Sequence, residues 1–275
     1  YIHGGVSRNV VEDIANIELR PTFVGIVDDS ALGEDVVKKL KNHKVNTDYV
    51  MTMPGGMGTW LAVFDHNGDL AGSISQRPNL MPILGLLEKK GDEIFANADS
   101  VIVEVDMDKD IIKKVVTLAK QYNKKLYGVV SNMSIAVERR DFLKHFDCFI
   151  CNQLEAGMLF MEDYADKSPE ELRDILSKRV ILGKIPAMIV TMGGNGAVYA
   201  DVNGEKGICP PQRVRVKDTT GAGDAFCAGV ASGLTYGKTL SEAVEIGSRL
   251  AASVITSSEN VCPRFLPEEF GITLD

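Results

Sequence analysis

The sequence is short of basic charge. Thirty lysines and arginines stand against 38 acidic residues, a net charge of −8 with a pI near 5.2. No run of Lys/Arg is long enough to make the basic stripe a duplex requires, so neither nucleic acid nor an anionic membrane is an expected partner. No apolar stretch approaches the ~18 residues that suggest a membrane span. The opening residues, Tyr1-Ile2-His3-Gly4-Gly5, lack the charged and apolar regions of a secretory signal. Cysteine is scarce, at five in 275 residues. A chain of this length buries enough surface to need no covalent staples. Cys148 and Cys151 have C-x-x-C spacing, which fits a redox or zinc pair, but no second Cys or His pair with ligand spacing accompanies them. The run Phe146 to Cys151 reads better as a buried strand in which Cys is a small hydrophobe. Repeats, low-complexity tracts and Ser/Pro-rich linkers are absent. The remaining reading is a reduced, cytoplasmic, globular protein of one domain, spanning 1–275.

Short β-branched runs alternate with helical patterns. Strands are expected at Thr22 to Val27, Ser100 to Val105, Lys125 to Val130, Asp147 to Cys151 and Ala187 to Thr191. Helices are expected at Leu32 to Lys44, Lys109 to Tyr122, Ala136 to Phe146, Gln153 to Met161 and Pro169 to Leu182, then at Ala222 to Leu234 and Leu240 to Ser257. This rhythm predicts an α/β fold whose mostly parallel sheet is covered by helices on both faces. Two regions break it. Tyr49 to Ser75 holds short alternating runs around Asn67-Gly68-Asp69, a hairpin signal that predicts a small β lid over residues 48–76. Gly193 to Val216 reads as a meander with a turn at Asn203-Gly204.

The strongest chemical signal is Asp218-Thr219-Thr220-Gly221-Ala222-Gly223-Asp224. A strand-like run at Val214 and Val216 ends in small residues that open a helix. Free N–H groups and the positive dipole end there make an anion site. Asp224, in the first turn, repels phosphate but can take a proton from a hydroxyl attacking it. An anion hole beside a base is what phosphoryl transfer requires. A plain capped helix after a Gly-rich turn is the simpler alternative. Asn152-Gln153-Leu154-Glu155 follows a strand, where open α/β sheets bind ligands and a carboxylate can hold Mg²⁺, yet the same residues fit a capping box. Thr191-Met192-Gly193-Gly194-Asn195-Gly196 joins strand to strand and so is no dinucleotide fingerprint, although a tight glycine turn can lie against a nucleotide. Gly237-Lys238-Thr239 imitates a Walker A tail, but Ser232 stands where the pattern needs glycine. Gly4-Gly5-Val6-Ser7-Arg8-Asn9 precedes an amphipathic helix through Val10, Val11, Ile14 and Ala15, and the Gly4 and Gly5 amides and Asn9 can bond sugar hydroxyls. Arg8 fits a ligand contact or a surface charge.

In this order the segments resemble the ribokinase-like (PfkB) family of carbohydrate and nucleoside kinases over essentially the whole chain. The resemblance implies a three-layer α/β/α fold and ATP and Mg²⁺ as cofactors. It implies Asp224 as base and Gly221, Ala222 and Gly223 as the anion hole. Thr191, Gly193, Gly196 and Thr220 would face the nucleotide, Asn152 and Glu155 the magnesium, and Asp218 a K⁺ ion. Gly4, Gly5 and Asn9 would meet a small sugar or nucleoside, and the lid would close the site and pair in a homodimer. Gly-Gly-Val-Ser-Arg-Asn is similar to the pseudouridine kinase branch. Three departures stand out. Relatives carry a strand with an acidic residue upstream of the Gly-Gly motif, so that strand is expected to be missing here. Ser131-Asn132 stands where relatives have Asp-Pro or Asp-x-Asn, and Ser75-Gln76-Arg77 where pseudouridine kinases have Asn-Asp. The expected activity is phosphorylation of a hydroxymethyl group. A non-catalytic binding protein on the same fold and a dinucleotide-dependent oxidoreductase are the rivals, the latter disfavoured by both glycine clusters.

Overall fold

The computed structural model describes residues 2–64, 66 and 70–274. The α/β expectation holds. A six-stranded sheet runs in the order β10-β9-β8-β7-β6-β5. Its parallel part is β5 (Ser100–Glu104), β6 (Lys125–Val129), β7 (Cys148–Asn152) and β8 (Ala187–Thr191). β9 (Ala197–Asp201) and β10 (Lys206–Cys209) extend it antiparallel through the Asn203-Gly204 turn. β7 and β8 read as unbroken apolar runs because both of their faces are covered. One face packs on α3 (Pro82–Ala96), α4 (Lys109–Gln121), α6 (Gln153–Phe160) and α7 (Pro169–Gly183). The other carries α1 (Val6–Asn16), α8 (Ala222–Thr235) and α9 (Leu240–Ile255). Cys148 and Cys151 are buried strand residues with free thiols, and burial pushes both thiols far up, so neither is a ligand or a reactive group. Among the described residues no helix is long and apolar enough to cross a membrane.

Four expectations need correction. Residues 49–52 are not part of a hairpin. They belong to β2 (Asn46–Thr52), which pairs parallel with β1 (Thr22–Val27) across α2 (Ala31–Asn42). The hairpin is β3 (Thr59–Phe64) with β4 (Leu70–Gln76), and its Asn67-Gly68-Asp69 turn lies outside the described residues. Val214 and Val216 form no strand. The backbone from Pro210 to Thr219 is irregular and Val216 is 56% exposed, since no neighbouring strand offers it a partner. Ala136 to Phe146 is not one α-helix: α5 (Met133–Ala136) gives way to tight 3₁₀ turns over Val137–His145. α1 starts at Val6, directly after Gly5, so Ser7, Arg8 and Asn9 are helical and do not precede the helix.

The β1–β2 pair does not join the large sheet. A cleft of about 380 Å³ separates the edges of β1 and β5, lined by Thr22 and Val24 on one side and Ile102 and Glu104 on the other.

Candidate active site

The strands bring their C-terminal ends to one edge of the sheet, the edge at which open α/β sheets hold ligands. Glu104 ends β5, opposite Val129 of β6. Asn152 ends β7 and pairs in register with Thr191, the last residue of β8. The Asn152–Glu155 and Thr191–Gly196 segments are therefore neighbours through strand pairing. α8 starts above the same edge. Its sequence begins with small residues because the turn before it leaves no room: Gly221 sits at φ 81°, and a Cβ there would stand 2.0 Å from the Asn260 carbonyl oxygen.

The two ends of the chain meet at Asp224. The Asn9 Nδ2 donates to Asp224 Oδ2 at 2.7 Å, across 215 residues of sequence. Asn9 is held in turn by Arg8 and by Asn260, whose Nδ2 lies 3.3 Å from Asn9 Oδ1. Burial pushes the half-buried Asp224 carboxyl up to about 6, against the Asn9 hydrogen bond that lowers it. Glu104 and Glu155 add to the rise, and Arg8 opposes it. Glu104 is pushed up by burial and by the charge of Asp106, although it accepts from Ser7 N at 3.0 Å and Ser7 Oγ at 2.8 Å. Several carboxylates thus gather at this edge, and Asp224, Glu104 and Glu155 are all pushed up, each with burial as the largest cause.

Asn152 and Glu155 form a reciprocal capping box. Asn152 Oδ1 accepts from Glu155 N at 2.8 Å, and Glu155 Oε2 from Asn152 N at 2.7 Å. The box uses one lone pair on each side chain and orients both at the end of β7. Glu155 Oε1 and the second lone pair of Asn152 Oδ1 are hard donors of the kind that hold Mg²⁺ with waters, so the pair fits that ion. In the Thr191–Gly196 turn, Gly193 is at φ 54° and exposed. Gly196, at φ 87°, lies so close to the Cys209 carbonyl that a Cβ would stand 2.1 Å away. Of the expected anion-hole amides, Ala222 N–H is turned to Thr219 O at 3.2 Å. Asp218 Oδ1 accepts from Thr220 N at 2.8 Å, which holds its carboxyl below the usual range and braces the exposed turn. Gly4 and Gly5 are exposed beside Asn9.

Three participants escaped the sequence reading. Glu104 was hidden as the last residue of an apolar strand, where its polarity was the one available signal. Asn260 lies in an irregular segment with no pattern. Asp106, 6% exposed, accepts from Ser131 N at 2.9 Å and from Arg77 Nη2 at 3.2 Å. Two of the segments that depart from the family pattern therefore converge on one carboxylate.

The chain belongs to the pfkB family of carbohydrate kinases, whose family model matches residues 1–262. It is 33% identical over 264 residues to the guanosine-inosine kinase of Exiguobacterium acetylicum, a match that covers 94% of this chain and 86% of that protein. It is 23% identical over 264 residues to the pseudouridine kinase of Escherichia coli, with 92% and 80% covered. In fold it matches Arabidopsis thaliana ribokinase complexed with ribose and ATP, with a TM-score of 0.82 at 20% identity over 96% of this chain and 85% of that one. It is an enzyme, a phosphotransferase of the carbohydrate and nucleoside kinase class.

Proposed function

We propose that this kinase transfers the γ-phosphoryl group of ATP to the hydroxymethyl group of a ribonucleoside, with guanosine and inosine as first acceptors. The observation that carries this is the 2.7 Å bond from Asn9 to Asp224, which joins the sugar-facing motif to the base of the anion turn. A hydroxyl held by the Gly4–Asn9 segment lies beside Asp224. As its oxygen bonds to phosphorus and the bond to ADP breaks, its proton passes to the Asp224 carboxylate and later to water. Transfer is late because the transition state is loose and the attacking oxygen turns acidic only as the new bond forms. The backbone turn at Gly221 and Gly223 meets charge on the phosphoryl oxygens. Asn152 and Glu155 would hold Mg²⁺, which would supply charge neutralisation during the transfer. The β3–β4 hairpin excludes water, so phosphate goes to the acceptor.

The similarity at 33% favours a purine nucleoside over pseudouridine, at 23%. Pseudouridine remains the second reading, supported by the Gly-Gly-Val-Ser-Arg-Asn motif. ADP release with ATP and Mg²⁺, with and without K⁺, is to be measured against guanosine, inosine, pseudouridine, uridine, adenosine, ribose and fructose. Turnover is expected with guanosine and inosine. Turnover with pseudouridine alone would shift the substrate, and turnover with free sugars alone would contradict the nucleoside reading.

A further inference from the structure

Arg8 is 6% exposed, and its guanidinium donors are spent inside the protein, where a substrate-facing arginine would keep them free. Its Nε donates to Gly4 O at 3.0 Å, and Nη2 donates to His3 O at 2.7 Å and to Asn9 Oδ1. Nη1 donates to Glu12 Oε2, one turn along α1. Glu12 is fully buried, and Lys39 Nζ and His43 Nε2 stand 3.3 and 3.6 Å from its Oε1. Those two contacts lack hydrogen-bond geometry, and Oε1 is without a hydrogen-bond partner among the described residues. Arg8 is therefore the main neutralising partner of a buried carboxylate, and it spends its fork on the backbone and the side chain of the Gly4–Asn9 segment.

The donor inventory fixes what this does to Asn9. A guanidinium has only donors, so the Asn9 atom facing Arg8 is the oxygen. The Asn260 amide nitrogen faces the His3 carbonyl at 2.8 Å, an acceptor only, and the same nitrogen faces Asn9 Oδ1. Both neighbours demand an acceptor from Asn9. Its nitrogen must then point to Asp224, where it donates to Oδ2. With Oδ2 engaged, Oδ1 is left for the incoming hydroxyl.

We propose that Arg8, braced by Glu12, is a positioning residue: it locks the Asn9 amide with nitrogen toward Asp224 and so holds that carboxylate ionised and oriented for proton acceptance. The proposal rests on Asp224 as base. Were the amide to turn over, its oxygen would face a carboxylate oxygen, and the donor that favours the ionised form would become a repulsion. The other charged or titratable groups around Asp224 are Glu104 from β5, Glu155 from α6, Asp13 from α1 and Cys227 from its own helix. All of these disfavour the ionised form or leave it unsupported, which makes the single Asn9 donor consequential.

The test is a carbon-13 titration of the Asp224 carboxyl in aspartate-labelled protein, its signal identified by loss in Asp224→Asn. Arg8→Met alone would strand buried Glu12 and risk unfolding. The working variant is therefore Arg8→Met with Glu12→Leu, which strands no buried carboxylate; because the Arg8 charge also lowers Asp224 directly, the amide orientation is read from the lack of additivity with Asn9→Ala. Its fold is checked by circular dichroism and melting. The Asp224 titration is expected to move up by about one unit. Asn9→Ala should move it by a similar amount, and Asn9→Ala added to the pair should move it no further. Arg8→Lys, which keeps a donor toward Asn9, should leave the titration close to that of the natural chain. An unchanged titration in the folded pair variant, or full additivity with Asn9→Ala, would overturn the proposal. The titration needs no turnover. If Asp224→Asn kept full activity while the titration shifted as expected, the base assignment would fail, and what stands is the orientation of the Asn9 amide by Arg8.

Discussion

At the scale of single residues, the proposed chemistry depends on one carboxylate kept near the middle of the pH range. Asp224 must be ionised to accept a proton, and burial lifts it to about 6. The value of kcat/KM should therefore rise with pH through about 6 and fall roughly tenfold per unit below it. A pH-rate profile with inosine checks this. A flat profile from pH 5 to 8 would show that no such group controls the free enzyme. Asp224 and Asn9 were legible in the sequence because each sits in a short, unusual pattern. Their contact was not legible, because nothing local encodes a bond across 215 residues. Arg8 was left open between ligand contact and surface charge. Its burial and its pairing with Glu12, a residue one turn away that carried no signal of its own, decide for neither.

At the scale of elements, α1 carries an unusual load of buried charge on a helix that contacts α8. Besides Glu12 it buries Asp13 completely. Asp13 Oδ1 accepts from Cys262 N at 2.6 Å, and burial nevertheless pushes its carboxyl up to about 8. Between about 4 and 8 the folded state therefore keeps a proton that the unfolded chain has released. Stability should decline as pH rises through that window, by at most about 1.4 kcal/mol per unit, and level off above it. Asp13→Asn keeps an acceptor for Cys262 N and removes the titration. Its melting temperature relative to the natural chain should improve steadily from pH 5 to 8. Parallel curves for the two proteins would show that Asp13 does not ionise in this way. Most elements were legible from periodicity, since β-branched runs and i, i+3, i+4 spacing survive in buried strands and amphipathic helices. Val214 and Val216 show the limit. Alternation marks a chain that could pair, and here no strand lies beside it. Ala136 to Phe146 has helical composition, but its tight turns set Leu143 into the core while Arg139 reaches back to the Met107 carbonyl at 3.0 Å.

At the scale of the whole molecule, the sheet is divided. β6, β7 and β8 are paired on both edges, whereas β1 and β2 form a pair of their own across a cleft from β5. Strands paired on both sides open only with the global unfolding, while a two-stranded unit held by side-chain packing can open by itself. Amide exchange should be faster in Thr22–Val27 and Asn46–Thr52 than in Lys125–Val129 and Ala187–Thr191. Equal protection would show that the two units unfold as one. This division was half legible. The parallel strands of the large sheet were read from their β-branched runs, but the separate β1–β2 pair was not. Hydropathy could not show that β2 belongs with β1, because pairing partners depend on the crossover through α2.

The central claim is that Asp224 accepts the proton in phosphoryl transfer from ATP to a nucleoside hydroxyl. The most direct test is turnover of ATP with inosine and Mg²⁺ by the natural chain and by Asp224→Asn. Loss of kcat by about two orders of magnitude or more, with the variant folded and still binding ATP, is the expected result. Full turnover by Asp224→Asn would contradict it.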